Sequence, residues 1–341
     1  MKAFTSGCAG ASLSVNERRF FADERPWGLI LFARNIVDAG ELCDLVADFR
    51  DAVARPDAPV LIDQEGGRVQ RLRPPLAPDY PSNAELGALY ARNSASGTRA
   101  AYLLSRLHAF DLQRFGIDID CLPVLDVPTS GAHQVIGSRA YGRDPECVAA
   151  MGRAACEGLL HGGVLPVLKH LPGHGRGPAD SHKSLPRVDA SVDELRASDF
   201  VPFIALNDMP IGMTAHVVYE AIDPDYPGTT SSIIVNKVIR GEIGFSGLLL
   251  SDDVSMNALS GDAGTRTRDI LNAGCDIALH CNGVFEEMRL TAANARDLEG
   301  TAQLRAKTAL ARRGKGDQAD EATLRAEFEA LTGTNVSLEA A

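Results

Sequence analysis

One feature constrains this chain more than any other. A short apolar run ending in a turn with polar or charged residues recurs eight times between Ala3 and Leu279, and seven stretches with apolar residues at helical spacing separate the runs. The apolar runs are Ala3–Ser6, Trp27–Ala33, Pro59–Ile62, one within Ile117–Val127, Val164–Leu168, Pro210–Ala215, Gly247–Leu250 and Asp276–Leu279. Helical spacing fills Asn16–Asp23, Val37–Val53, Gly97–Phe115, Pro145–His161, Val192–Leu206, Ser231–Glu242 and Arg266–Ala273. Strands that alternate with helices pair in parallel, because each crossover helix returns the chain to the same edge. Eight such units predict an α/β fold, a closed (β/α)8 TIM barrel. A doubly wound open sheet is the rival, but no G-x-G-x-x-G opens a helix.

Charged and imidazole residues cluster where the apolar runs stop: Arg34, Asp63, Lys169, His216, Asp252 and His280. In a barrel these positions converge on the C-terminal face, where such folds carry their chemistry. The barrel is expected to span residues 1–295. Beyond it the composition turns to Ala, Glu, Arg and Leu. Helices are expected over Asp297–Arg312 and Asp320–Leu331, so residues 296–341 form helices packed on the barrel or a partly loose tail.

The formal net charge of -11 argues against a nucleic-acid partner, which would require a basic face. No segment has the roughly 20 apolar residues of a membrane span, and the N-terminus turns polar too early for a signal peptide. The seven cysteines are scattered and lack a C-x-x-C pair, which fits reduced, buried thiols in a cytoplasmic protein.

Lys169–His182 reads K-H-L-P-G-H-G-R-G-P-A-D-S-H. Gly and Pro exclude regular structure, so these polar groups are expected on a loop leaving the fifth strand. One of Lys169 and His170 is expected to enter the barrel mouth, and His174 to brace the loop through backbone hydrogen bonds. Asp180 can accept the Nδ1 proton of His182, which leaves Nε2 as a general acid and base. A surface turn with an idle histidine is the other reading of that triplet. Gly173, Gly175 and Gly177 suggest a pliable loop that swings His182 in when substrate binds.

Asp252 and Asp253 close the seventh run. Together they offer a nucleophile or base and a residue to brace it, or else a capping or ion-paired duo. Asp63 and Arg71, in D-Q-E-G-G-R-V-Q-R, can hold hydroxyls or form an internal ion pair. Arg139 lies in the glycine-flanked stretch I-G-S-R-A-Y-G. A divalent site built from His170, His174, His182 and the aspartates is a rival, but no H-x-x-x-H or H-x-H spacing supports it.

These residues resemble a known family. I-L-F-A-R-N (30–35), D-Q-E-G-G-R-V-Q-R (63–71), S-R-A-Y-G (138–142), K-H-L-P-G-H-G (169–175), D-S-H (180–182), M-T-A-H (213–216) and S-D-D-V-S-M (251–256) match, in order, the β-N-acetylhexosaminidases of glycoside hydrolase family 3. Leu171 stands where the family usually has phenylalanine, and His280 and the C-terminal region lie outside the signature.

The resemblance implies a single-domain barrel with no cofactor and no metal. It implies Asp252 as nucleophile, His182 as general acid/base with Asp180 as its partner, and Asp63, Arg71, Arg139, Lys169 and His170 as sugar ligands. The implied substrate is a small muropeptide or disaccharide, N-acetylglucosamine on 1,6-anhydro-N-acetylmuramic acid, in cytoplasmic peptidoglycan recycling. The chain is expected to act as a monomer, without nucleic-acid or membrane partners. A phosphorylase, a metal-dependent hydrolase on the same barrel, and a non-catalytic sugar-binding protein are the alternatives.

Overall fold

The computed structural model describes residues 1–131, 133–177, 181, 184–314 and 316–337. Eight parallel strands close into a barrel: β1 (Lys2–Ser6), β2 (Pro26–Leu31), β3 (Val60–Ile62), β4 (Ile119–Asp120), β5 (Leu165–Leu171), β6 (Ile211–Thr214), β7 (Leu248–Asp253) and β8 (Ile277–His280). Each pairs with its sequence neighbour, and β1 pairs with β8 to close the ring, Phe4 opposite Ala278 and Ser6 opposite His280. The strands are apolar on both faces because one face fills the barrel and the other packs under helices. Trp27, Phe49, Leu61, Leu168 and Leu249 are all fully buried in the resulting continuous core.

Two strands outrun the expectation. β5 continues through Lys169, His170 and Leu171, where a loop was expected, and β7 includes Asp252 and Asp253. Pairing with the neighbouring strand satisfies the extended backbone, Leu171 lying opposite Thr214 and Asp253 opposite Leu279. The polar side chains are thus held by sheet rather than by loop.

Helices Asn83–Arg92 and Phe285–Asn294 were not foreseen. The first begins where Glu85 accepts the Ser82 amide at 2.8 Å, half of a capping box. The single helix expected over Val192–Leu206 is two, Val192–Ala197 and Val201–Ala205. Pro202, at the start of the second, has no amide hydrogen to donate to the Ser198 carbonyl four residues back, so a continuous helix would lose that bond. Of the seven free cysteines six are buried, and Cys43 is exposed.

Past the barrel, helices Gly300–Ala311 and Glu321–Thr332 follow. The second lies on helix Ser94–Gln113. Arg99 forms two hydrogen bonds of 2.7 Å to Glu327, Arg325 reaches Asp111 at 2.7 Å, and Phe328 is fully buried. A short antiparallel hairpin, Gln64–Gly66 with Val69–Gln70, follows β3 and covers part of the barrel mouth.

Candidate active site

The C-terminal end of the barrel holds a cavity of about 150 Å³. Asp63, Arg71, Arg139, Lys169, His170 and Asp252 all line it, as do His174, Ser181 and Asp253. The two polar stretches that the sequence singled out therefore face one space. Asp180 and His182 lie outside the described residues. Arg34, His216 and His280 fall at strand ends but not in the cavity lining. Arg34 donates to the carbonyls of Cys8 and Cys281, tying together the loops after β1 and β8.

One wall is a chain of alternating charges. Arg71 Nη2 donates to Asp63 Oδ2 at 3.0 Å, and Lys169 Nζ to Asp63 Oδ1 at 2.9 Å. Lys169 Nζ also lies 2.6 Å from Glu65 Oε1. Arg139 grips Glu65 with two parallel bonds of 2.9 and 2.7 Å. Three cations thus share two carboxylates. Burial pushes the Asp63 carboxyl up, but Lys169 and Arg71 more than offset this and hold it well below the usual range. Burial likewise opposes the charge on Lys169, but Asp63 and Glu65 raise its ammonium above the ordinary lysine value. Asp63 and Lys169 are therefore both ionised at neutral pH. Such a wall presents fixed donors and acceptors to hydroxyl groups without rearrangement.

Next to Lys169 on β5, His170 also lines the cavity. Asp126 is fully buried and accepts the His170 amide at 3.2 Å, the His174 amide at 2.6 Å and His170 Nδ1 at 2.7 Å. Burial raises its carboxyl, but His170, with its hydrogen bond, and His174 bring it down to about 2. An ionised acceptor fixes the proton on His170 Nδ1 and leaves Nε2 as the nitrogen that a ligand can meet. His174 uses its amide to brace the loop, as expected, but its ring also lines the cavity, with Nε2 3.1 Å from Ser181 Oγ. Burial drives that imidazole down to about 4, so it is neutral at neutral pH.

Asp252 Oδ1 accepts the Asp253 amide at 2.8 Å. The Asp253 carboxylate is turned to the backbone: it takes the amides of Ser255 at 2.9 Å and Cys281 at 3.0 Å, and the Ser255 hydroxyl at 2.5 Å. His216 Nε2 donates to the Asp253 carbonyl at 2.9 Å. Asp253 therefore spends its acceptors on holding the end of β7, beside the cavity-lining Asp252.

The glycines after β5 are there for close packing. A Cβ on Gly175 would lie 2.1 Å from the Val127 carbonyl oxygen, and one on Gly173 would lie 2.9 Å from Asp199 Cβ. Arg176 bonds Asp199 at 2.7 Å, Tyr219 donates to the Gly173 carbonyl at 2.8 Å, and the His133 amide to the Gly177 carbonyl at 3.0 Å. Up to Gly177 the stretch is tied by these contacts to Val127, Asp199, Tyr219 and His133.

Glu65 and Asp126 escaped the sequence reading. Glu65 follows Asp63 by two residues, the spacing that puts side chains on one side of an extended segment. Asp126 follows the apolar run Cys121–Leu125 just past β4, a signal of the kind that marked Asp63 and Asp252. Among the described residues no group of three or more His, Cys, Asp or Glu side chains is arranged to hold a metal ion.

The profile of the glycosyl hydrolase family 3 N-terminal domain matches residues 11–311. A β-hexosaminidase from Alkalilimnicola ehrlichii is 39% identical over 280 residues, covering 81% of this chain and 79% of that protein. One from Stenotrophomonas maltophilia is 36% identical over 303 residues, covering 87% and 89%. The crystal structure of NagZ from Neisseria gonorrhoeae with N-trifluoroacetyl-D-glucosamine superposes with a TM-score of 0.84 at 30% identity, covering 97% of this chain and 96% of that one. A closed parallel eight-stranded barrel, a cavity lined by charged residues at its C-terminal end and relatives of this similarity over most of their length agree: the chain belongs to glycosyl hydrolase family 3, as a β-N-acetylhexosaminidase.

Proposed function

We propose that the chain is a retaining exo-β-N-acetylglucosaminidase that removes terminal N-acetylglucosamine from 1,6-anhydro-N-acetylmuramic acid, with or without its stem peptide, in cytoplasmic peptidoglycan recycling. The observation that carries this reading is the convergence of Asp252 with Asp63, Arg71, Arg139, Lys169 and His170 on one small cavity. A space of about 150 Å³ suits one terminal sugar rather than a run of them. No described helix is long and apolar enough to cross a membrane.

In this mechanism the ionic wall and His170 Nε2 hold the sugar hydroxyls, and Asp252 attacks C1 through an oxocarbenium-like transition state. Protonated His182, with Asp180 on its Nδ1, gives its proton to the leaving oxygen. Neutral His182 then takes a proton from water, which cleaves the glycosyl–Asp252 ester and restores the enzyme. Most retaining glycosidases use two carboxylates about 5–5.5 Å apart. An imidazole in place of the second spares the nucleophile a neighbouring anion.

The test is release of p-nitrophenol from its β-N-acetylglucosaminide by wild type and Asp252→Asn, with and without a chelator, followed by the disaccharide itself. Activity that survives the chelator and falls by about 10³-fold in Asp252→Asn, a barrier rise of about 4 kcal/mol, is the expected result. Loss with the chelator alone would transfer the reading to a metal-dependent hydrolase. A rate that needs inorganic phosphate and yields the sugar 1-phosphate would transfer it to a phosphorylase.

A further inference from the structure

The last helix, Glu321–Thr332, is remote in sequence from every residue of the cavity. Yet Arg325 points its guanidinium into the protein and is only 7% exposed. Its Nη2 donates to Asp111 Oδ1 at 2.7 Å, and its Nη1 to the Tyr80 hydroxyl at 3.1 Å and to the Val336 carbonyl at 2.8 Å. Its Nε donates to Glu321 at 2.8 Å. The Tyr80 hydroxyl in turn donates to Asp111 Oδ2. Arg325, Asp111 and Tyr80 therefore form a closed, buried triangle linking three parts of the chain.

Tyr80 is also the clamp on the hairpin after β3. Its carbonyl accepts the Gly67 amide at 2.9 Å, and its amide donates to Gln70 Oε1 at 3.0 Å. Gln70 Nε2 closes the same loop on the carbonyls of Leu72 at 2.7 Å and Pro78 at 2.6 Å. Across the hairpin, Gln64 Oε1 accepts the amides of Arg71 and Leu72, both at 3.0 Å. The hairpin carries Glu65, the anchor of Lys169 and Arg139, and runs directly into Arg71.

We infer that Arg325 is a positioning residue for the sugar site: through Tyr80 and Asp111 it fixes the hairpin that presents Glu65 and Arg71 to the cavity. The inference rests on the proposed reading of Arg71 and its neighbours as sugar ligands. The C-terminal helix then does more than cover the barrel. It sets the register of one wall of the site, and ligand binding at that wall must in return tighten the helix, because coupling between two sites is reciprocal.

The test compares full-length Arg325→Met and Tyr80→Phe with Phe328→Leu, a buried change on the same helix outside the triangle. Arg325→Met leaves Asp111 paired with Arg114 at 2.7 Å, so the carboxylate is not stranded. Tyr80→Phe removes one hydroxyl and keeps both backbone clamps. With the p-nitrophenyl substrate, both are expected to raise KM about threefold or more, while kcat moves by less than about twofold. Phe328→Leu is expected to lower Tm and leave KM in place.

Arg71→Met serves as the reference. If it raises KM while Arg325→Met and Tyr80→Phe match Phe328→Leu, the positioning role is overturned. If Arg71→Met itself leaves KM unchanged, the sugar-ligand reading has failed, and hydrogen exchange decides the brace. Faster exchange at the Gly67, Arg71 and Leu72 amides in Arg325→Met, but not in Phe328→Leu, supports it. Equal exchange in both overturns it.

Discussion

Asp126→Asn isolates the charge that orients His170. The wild-type carboxylate accepts two backbone amides and the His170 Nδ1 proton from a fully buried position. Asparagine fills the same volume, but its amide nitrogen must face either those backbone donors or the imidazole. Facing Nδ1, it shifts the proton to His170 Nε2 and turns that nitrogen, a sugar ligand in the proposed mechanism, from acceptor to donor.

The stability cost follows from the carboxyl's own displacement, from 3.8 down to about 2. At about 1.4 kcal/mol per pH unit this corresponds to roughly 2–3 kcal/mol. The usual net worth of a charged hydrogen bond, about 1.5–3 kcal/mol, agrees. With an unfolding entropy of about 2.1 cal/mol/K per residue over 341 residues, Tm falls by about 3–4 °C.

A carboxyl that folding depresses stabilises the protein above its unfolded pKa and loses that contribution as pH falls through its folded one. The Tm gap between wild type and variant should therefore stay flat from about pH 8 to about pH 5 and close below about pH 4. One lost neutral hydrogen bond to substrate, about 0.5–1.5 kcal/mol, raises KM by roughly two- to tenfold. Differential scanning fluorimetry across pH, steady-state kinetics and nitrogen-15 NMR of the His170 ring read the three effects. An unchanged tautomer together with an unchanged KM would refute the reasoning.

Glu65→Gln leaves Lys169 and Arg139 sharing one fewer anion; breaking a buried pair costs about 3–5 kcal/mol, so both a lower Tm and a higher KM are expected, and a change in neither contradicts the ionic wall. Gly175→Ala drives a Cβ into the Val127 carbonyl and must shift the loop that leads to His182. A loss of kcat of about tenfold or more is expected, and wild-type kcat would mean that the loop does not set the geometry. His174→Asn should leave both limbs of the pH profile of kcat/KM in place, because the His174 ring, pushed down to about 4, is already neutral across the working range. A limb that moves would assign a titration to His174.

The barrel was legible because its determinants are local. Eight apolar runs and the helical periods between them required no knowledge of partners, and strand ends marked Asp63, Lys169 and Asp252 correctly as residues facing one space. Other features depended on contacts that sequence order hides. Lys169 and His170 looked like loop residues because glycine and proline follow them, yet pairing with β6 carries the strand to Leu171. Asp126 gave the same local signal as Asp63, but its importance lies in bonds to residues 44 and 48 positions away. Glu65 was overshadowed by the Asp63 beside it, although the two alternate along one segment. Helix Asn83–Arg92 announced itself only through Ser82 and Glu85. Arg325 carried no local signal, since its partners, Tyr80 and Asp111, are more than 200 residues distant.

The central claim is that Asp252 forms the covalent bond to the sugar. The direct measurement is incubation with a slowly hydrolysed, fluorinated β-N-acetylglucosaminyl fluoride, followed by digestion with trypsin and fragmentation of the peptide spanning residues 241–266. The account predicts one fluorinated N-acetylhexosaminyl group, attached through an ester to Asp252 and released on dilution into an acceptor. An adduct on Asp253 or on any other side chain, or turnover with inversion and no adduct, would contradict it.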